Sequence, residues 1–271
     1  MLGTLGLVAG IRAKLARVFG IGRSSSYYQV TQPARDEELR QNITNVLLAN
    51  PAYGHKRVAL ELNCGKNQIR RVMKLFGLEP TVHRRYRWQP VPIETQIVLR
   101  PNRITDLTPS YLHHVWASDF TYLWCNSRWY YLATVLDLFT RQLVGWSIGR
   151  RHTAQLIHLA VCDALSSHQP PACFHTDQGS EYTAVATVML VEAAGSLFSW
   201  SAKGSPWQNG YQESLYQNFK LELGDLSRFK TEGELFEAVA KQIYYYNHHR
   251  IHTALLMSPV QFSKQSARQG V

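Results

Sequence analysis

Cysteine is scarce in this 271-residue chain, and the four present do not form a pattern. Cys64, Cys125, Cys162 and Cys173 contain no Cys-x-x-Cys and match no zinc spacing, which sets aside a disulfide-stapled scaffold and a zinc module. They are expected as buried, reduced thiols. The histidines at 248, 249 and 252 have no cysteine beside them and are not taken for a metal site. Long apolar runs are also missing. Leu2 to Ala9 is too short to cross a bilayer, and its cations Arg12, Lys14 and Arg17 follow it rather than precede it. No membrane span and no secretory signal are therefore read, and the chain is expected in the cytoplasm, with the chromosome. There is no Gly-x-Ser-x-Gly and no P-loop, so no nucleophilic serine elbow or nucleotide cradle competes for the chemistry.

Acidic residues are scarce in one part only. The first 100 residues hold 16 Lys and Arg against 6 Asp and Glu, whereas the remainder holds 13 of each, so the whole net charge of +10 sits in the first part. A basic module that meets a polyanion, joined to a neutral domain with another task, follows from that asymmetry; the plainer alternative is a solvated basic surface.

Within the basic part, Leu39, Ile43 and Leu47 predict a helix over Ala34 to Asn50, with Asp36, Glu37 and Glu38 in its first turn. Shorter helices are predicted over Lys56 to Leu62 and Lys66 to Phe76, the last closed by Gly77, which gives helix-turn-helix geometry. On the third helix Ile69, Val72, Met73 and Phe76 share one side and Asn67, Arg70, Arg71 and Lys74 another. That polar stripe suits the major groove, with arginines for guanine edges or phosphates and asparagine for adenine; Lys56 and Arg57 join it as candidate DNA contacts. Arg84, Arg85 and Arg87 alternate with aromatics, a mixture suited to a phosphate backbone or a stacked base. Pro80, Pro90 and Pro92 make the following stretch an irregular linker. The expected organisation is a basic segment 1–34, a helix-turn-helix domain 35–80, a linker 81–109 and a catalytic domain 110–271 with a C-terminal helical extension.

The neutral part opens with three strands rich in aromatic and β-branched residues, Val115 to Trp124, Trp129 to Asp137 and Gln142 to Ile148, separated by turns at Asn126-Ser127 and Phe139-Thr140-Arg141. A helix over Ala154 to Ser167, a strand at Ala172 to Thr176, a helix over Tyr182 to Ala194 and a strand at Leu197 to Trp200 follow. This order predicts an α/β fold, a mixed five-stranded sheet with helices on both faces. Asp119 interrupts a strand that is otherwise largely apolar, where a lone carboxylate is costly unless something positive meets it. Asp177 closes the fourth strand where a helix begins, beside Gly179. Glu213 lies on a helix predicted to start with Ser205 as cap and Pro206 at its first position, sharing a face with Asn209, Gln217 and Lys220; Lys203, Gly204 and Gly210 suggest a mobile entrance. Three such carboxylates can converge at one sheet edge and hold two divalent ions roughly 4 Å apart for in-line phosphoryl transfer. Asp137 is the rival to Asp119 and reads as a turn-stabilising ion pair with nearby Arg141, while Asp163, Glu181 and Glu192 read as helix-surface charges.

These residues resemble the integrase catalytic core of bacterial insertion-sequence transposases. The matching pieces are Val115-Trp-Ala-Ser-Asp119-Phe-Thr-Tyr122, Leu136-Asp-Leu-Phe-Thr-Arg141, His175-Thr-Asp177-Gln-Gly-Ser-Glu-Tyr182 and Asn209-Gly-Tyr-Gln-Glu213-Ser214, with 35 residues between Asp177 and Glu213. The tail Tyr246-Asn-His-His-Arg250-Ile-His252 with Ser258-Pro259, and Tyr53-Gly-His-Lys-Arg57 through Leu78, are similar to the family's C-terminal end and to the helix-turn-helix that precedes its core. The resemblance implies an RNase H-like fold, Asp119, Asp177 and Glu213 as catalytic metal ligands, magnesium or manganese, two ions per site, and end cleavage followed by strand transfer. It also implies double-stranded DNA as partner, a homo-oligomer on DNA, and DNA contacts from Lys203, Asn209, Lys220 and Arg250. Many relatives act as a frameshifted fusion; nothing before residue 35 looks like the added region, so a partner from the upstream frame is expected. Two other readings stay open at this point, a non-catalytic DNA-binding regulator and a nuclease of the same fold without strand transfer.

Overall fold

The computed structural model describes Val18 and residues 32–81, 101–201 and 210–269. Most of the basic segment 1–34, the arginine cluster at 84, 85 and 87, most of the linker, Lys203, Asn209 and the cap at Ser205-Pro206 lie outside them. The first described unit has three helices, α1 (Gln32–Ala49), α2 (His55–Glu61) and α3 (Lys66–Leu75). Their apolar stripes meet: Leu39, Ile43 and Val46 from α1, Val58 and Ala59 from α2, and Ile69, Val72 and Met73 from α3 close around Tyr53. Gly77 takes the left-handed conformation that stops α3, at a φ of 62°. One expectation needs correcting here. Helix α1 starts at Gln32, so its acids fall beyond the first turn, and Asp36 is buried rather than solvated, accepting from Gln32 at 2.9 Å and from Arg71 Nη1 at 2.7 Å.

In the second unit β1 (Val115–Cys125), β2 (Arg128–Asp137) and β3 (Leu143–Gly149) form an antiparallel meander, and β4 (Cys173–Thr176) and β5 (Leu197–Trp200) add in parallel on the other side of β1. The strand order is β3-β2-β1-β4-β5, the mixed sheet that the pattern predicted. Asn126 and Ser127 both have positive φ, 51° and 59°, the two-residue primed turn that matches the twist of a tight hairpin.

Alternation along each strand divides the side chains between two cores. Val115, Ala117 and Leu123 point, with Leu132 and Leu136, towards α7 (Gly210–Leu223) and α8 (Glu232–His248). Trp116, Phe120, Ala133 and Val135 point the other way, towards α4 (Ala154–Ser167) and the pair α5 (Ser180–Thr183) and α6 (Val185–Ala193). A last helix, α9 (Pro259–Gln269), packs on α8. The single helix expected from Tyr182 to Ala194 is two, because Ala184 is extended at φ −59° and ψ 133°. The thiols also differ from expectation: Cys125 and Cys173 are buried, but Cys162 is exposed and Cys64 half-buried.

Gly145 lets α4 lie directly on β3, since a Cβ there would stand 2.3 Å from the Ala160 carbonyl oxygen and 2.7 Å from the Ala164 nitrogen. Both obstacles are backbone and cannot swing away. Gly145→Ala is therefore expected to cost about 2 kcal/mol or more, as overpacking of a close contact does, read as a lower urea midpoint with an unchanged slope. A variant as stable as the wild type would mean that α4 sits further from the sheet.

Candidate active site

The parallel register of β1 and β4 pairs Val115 with Cys173, Trp116 with Phe174 and Ala117 with His175. Two residues beyond the last pair on each strand stand Asp119 and Asp177, side by side at the C-terminal end of β4. Asp119 has the same parity as Val115, Ala117 and Leu123, so its side chain faces α7, the helix that carries Glu213. Asp119 and Asp177 thus stand at neighbouring strands, and Asp119 faces the helix that carries Glu213.

What fixes α7 there was not read from the sequence. Gln212, fully buried, donates from Nε2 to the Ala117 carbonyl at 2.6 Å and accepts from Thr134 Oγ1 at 3.2 Å. One turn on, the Tyr216 hydroxyl donates to the Asp119 carbonyl at 2.5 Å and lies 2.8 Å from Thr134 Oγ1, while Thr134 is paired with Asp119 across the β1–β2 ladder. The two side chains bracket Glu213 and clamp its helix to the backbone of β1. Both have the right spacing in sequence, i and i+4, but a glutamine and a tyrosine give no signal of where they dock. Tyr216→Phe is expected to keep the fold and lower turnover by about 10-fold or more, as loss of a ligand-orienting partner does, with metal affinity weakened in parallel. Equal turnover in the two proteins would show that the clamp does not position Glu213.

The carboxylates feel one another. Burial pushes the Asp119 carboxyl up to about 7, against the Phe120 N–H that bonds its Oδ1 at 2.8 Å, and the charges of Asp177 and Glu213 push in the same direction as burial. Glu213 is raised by burial. Asp177 is exposed, with Oδ1 held at 2.9 Å by the Gly179 N–H. Among the described residues no three acidic, histidine or cysteine side chains are gathered closely enough to ligate one ion. The candidate donor set of Asp119, Asp177 and Glu213 is among those not gathered. Its chemistry fits a hard divalent cation, since all three donors are carboxylate oxygens.

The rest of the rim departs from expectation in two places. Glu181 is not a plain surface charge: its side chain is 16% exposed and lies 2.8 Å from Nδ1 of His152, whose ring packs against Phe120, Tyr122 and Tyr131. Asp137 does not pair with Arg141 through its carboxylate. It is fully buried, accepts from the backbone N–H groups of His113, Phe139 and Thr140, and lies 3.2 Å from His113 Nδ1, so it locks the turn and is no rival ligand.

The candidate DNA contacts divide by exposure. Lys56 on α2, Asn67, Arg70 and Lys74 on α3, and Lys220 on α7 two turns after Glu213 are exposed. Arg71 is exposed on the same stripe but its guanidinium is engaged by Asp36. Arg57 and Arg250 stand apart from these exposed residues, because both are withdrawn into a contact between α2, α7 and the segment after α8. Arg250, 2% exposed, bonds both carboxylate oxygens of Glu222 through Nε at 2.7 and 2.9 Å, and Arg57 approaches the same carboxylate at 3.9 Å.

Residues 112–206 match an integrase core domain family, and 195–259 match a second family of the same description. The chain is 32% identical over 225 residues to the transposase for insertion sequence element IS904 of Lactococcus lactis subsp. lactis, an alignment covering 79% of this chain and 88% of that protein. It belongs to the insertion-sequence transposases with an integrase core. A 31 kDa protein of insertion element IS600 from Shigella sonnei is 29% identical over 267 residues, covering 93% of the transposase described here and 98% of its relative. Among solved structures, a chain in the simian T-cell lymphotropic virus intasome in complex with the PP2A regulatory subunit B56 gamma superposes with a TM-score of 0.51 at 14% identity, over 78% of this chain and 74% of that one. That likeness shows the fold: the sheet order of the transposase and its flanking helices are the RNase H-like arrangement of an integrase core.

Proposed function

We propose that this DNA transposase cuts one strand at each end of its element and joins the freed 3′-hydroxyl to target DNA, using Asp119, Asp177 and Glu213 to hold divalent cations. The observation that carries the reading is the juxtaposition of Asp119 and Asp177 on neighbouring parallel strands, with α7 fastened over them by Gln212 and Tyr216. The cations are Mg2+ or Mn2+, two per site, and when bound they supply Lewis-acid activation of the attacking oxygen and charge stabilisation of the leaving one.

The protein's own share is placement. The Phe120 and Gly179 N–H groups orient one oxygen each of Asp119 and Asp177, leaving the other free to ligate. In cleavage, the oxygen of water forms a bond to phosphorus and the bond from phosphorus to the 3′-oxygen breaks, leaving a 3′-hydroxyl on the element. In joining, that hydroxyl oxygen bonds to a target phosphorus and the target's own 3′-oxygen leaves. No covalent link to the protein is needed. Lys56, Asn67, Arg70 and Lys74 offer one exposed face for duplex DNA, and Lys220 offers a cation beside the reacting strand. Both ends must be served, so the active form is a homo-oligomer assembled on DNA, working in the cytoplasm at the nucleoid, with an upstream-frame product as an additional partner.

A strand-transfer assay with magnesium, an end-containing duplex and a target plasmid tests this. Nicked ends followed by joined products are expected. Hydrolysis without joined products would instead indicate a nuclease, and specific end binding without cleavage in any metal a regulator.

A further inference from the structure

Two stretches singled out in the sequence are not used by the carboxylate site: the turn that ends in Arg141 and the tail from Tyr246 to His252. The fold brings them together. They form, with α7, the walls of a cavity of about 640 Å³ whose polar lining includes Asn102, Ser214, Asn218 and His252. Arg141 lies across the ring of Tyr211, its Cζ 3.9 Å from the ring centroid, and Arg250 lies 5.5 Å from that of Tyr246. We propose that this cavity binds a phosphate group, on a nucleotide of the DNA strand or free in solution, through the guanidinium groups of Arg141 and Arg250.

Charge balance is the first argument. Three guanidinium groups surround this region, those of Arg57, Arg141 and Arg250, and the acid bonded to any of them is Glu222, which serves Arg57 and Arg250. No ion pair forms at Arg141 among the described residues. Burial together with these three cations drives His252 down to about 4, so the ring stays neutral and contributes no further charge at physiological pH. Buried cations in excess of their acids are unfavourable unless an anion joins them.

Hydrogen bonding is the second. Arg141 Nη1 and Arg250 Nη2 are both buried and have no partner, and Arg250 is 2% exposed while lining the cavity. Both nitrogens belong to residues that line the cavity, whose wall also includes Ser214 and Asn218, and a buried donor without a partner is unfavourable until one is supplied. Arginine forks match phosphate oxygens in geometry as well as charge. The volume exceeds a phosphate group and leaves room for the sugar and base attached to it, against the Tyr211 ring and the apolar wall of Ile104, Leu107 and Leu215. Tyr211, Ser214 and Asn218 form one stripe of α7, on a different side of the helix from Glu213. The inference does not depend on catalysis, because the donors and the charge excess are present whether or not the triad holds metal.

The test uses the full chain in EDTA at constant ionic strength. Inorganic phosphate, replacing chloride, is expected to raise the melting temperature of the wild type by about 3 °C or more at saturation. Arg141→Gln, which breaks no ion pair, is expected to lose that shift. Ser214→Asp, an exposed position that adds a negative charge at the rim, is expected to lose it too and covers the case in which the first variant folds poorly. Lys74→Gln on α3, a control for general charge loss, keeps it. In a second arm, anisotropy of a labelled duplex across a salt series reads the source. A slope of log K on log salt reduced by about 1 in Arg141→Gln places a strand phosphate in the cavity, and an unchanged slope with the melting shift intact assigns free phosphate. Absence of both the shift and the slope change overturns the proposal and leaves the arginines purely structural. Asp119→Asn shows the same phosphate shift as wild type, so loss of cleavage and loss of this site are separable.

Discussion

Asp119→Asn is expected to abolish both end cleavage and joining, lowering each by at least about 1,000-fold, while end binding changes little. The substitution keeps size and leaves an oxygen for the Phe120 N–H, so the strand and its neighbours persist. What goes is the negative charge that, with Asp177 and Glu213, makes a cation necessary. The same change has a second consequence that a purely structural aspartate would not show. Asp119 is held in a poorly solvated position among like charges, so its ionised form weakens the metal-free protein, and the amide relieves that repulsion. In EDTA at neutral pH or above, Asp119→Asn should therefore melt above the wild type. Magnesium should raise the wild-type midpoint and leave that of the variant almost unmoved. Undiminished cleavage, or a variant that melts lower in EDTA, would reject the assignment of this residue.

Glu222→Gln is expected to destabilise the chain by roughly 3–5 kcal/mol, the usual consequence of stripping the acid from buried cations. Glu222 accepts from Arg250 at 2.7 and 2.9 Å and from Gln242 at 3.2 Å, and it faces Arg57 at 3.9 Å. Burial and the charge of Arg250 already lower the pKa of Arg57, so these cations repel each other and depend on the one carboxylate. The loss should reach the three-helix unit as well, because the Tyr53 hydroxyl that accepts from the Ile251 N–H and the Tyr245 hydroxyl that donates to Asn50 Oδ1 span the same contact. Urea denaturation reads the first effect, and hydrogen exchange at Tyr53 the second. The double variant Glu222→Gln with Arg250→Met should recover part of the loss. A single variant within about 0.5 kcal/mol of wild type would mean that water reaches the pair.

The same cluster sets an acid limit. His252 titrates near 6.5 when unfolded and near 4 when folded, where burial and then Arg250, Arg141 and Arg57 oppose its charging. The unfolded chain binds the extra proton first, so stability present above about pH 6.5 is lost as pH falls towards 4. His252→Gln should flatten that part of the pH–stability curve; a curve of unchanged slope would locate the acid sensitivity elsewhere.

Much of the core was legible because its signals are local. Strand alternation, the Asn126-Ser127 turn and the 35-residue interval between Asp177 and Glu213 lie within short windows of sequence, and the sheet follows them closely. What escaped depends on partners far along the chain. Arg250 looks like any solvated cation until Glu222, 28 residues earlier, is brought beneath it, and Arg57 needs the same carboxylate across 165 residues. Asp36 reads as a helix-opening acid because nothing local announces Arg71, 35 positions on. Gln212 and Tyr216 stood inside or beside a recognised motif, yet only the fold shows that they bond the carbonyls of Ala117 and Asp119. Charge and motif identify which residues matter, while burial decides whether they face a ligand or each other.

The most direct measurement is anomalous diffraction from crystals grown with Mn2+. The account predicts manganese peaks bridged by carboxylate oxygens of Asp119, Asp177 and Glu213, with α7 drawn in over the strand ends. Crystals saturated with manganese that show no peak there, with the three carboxylates still apart, would contradict it.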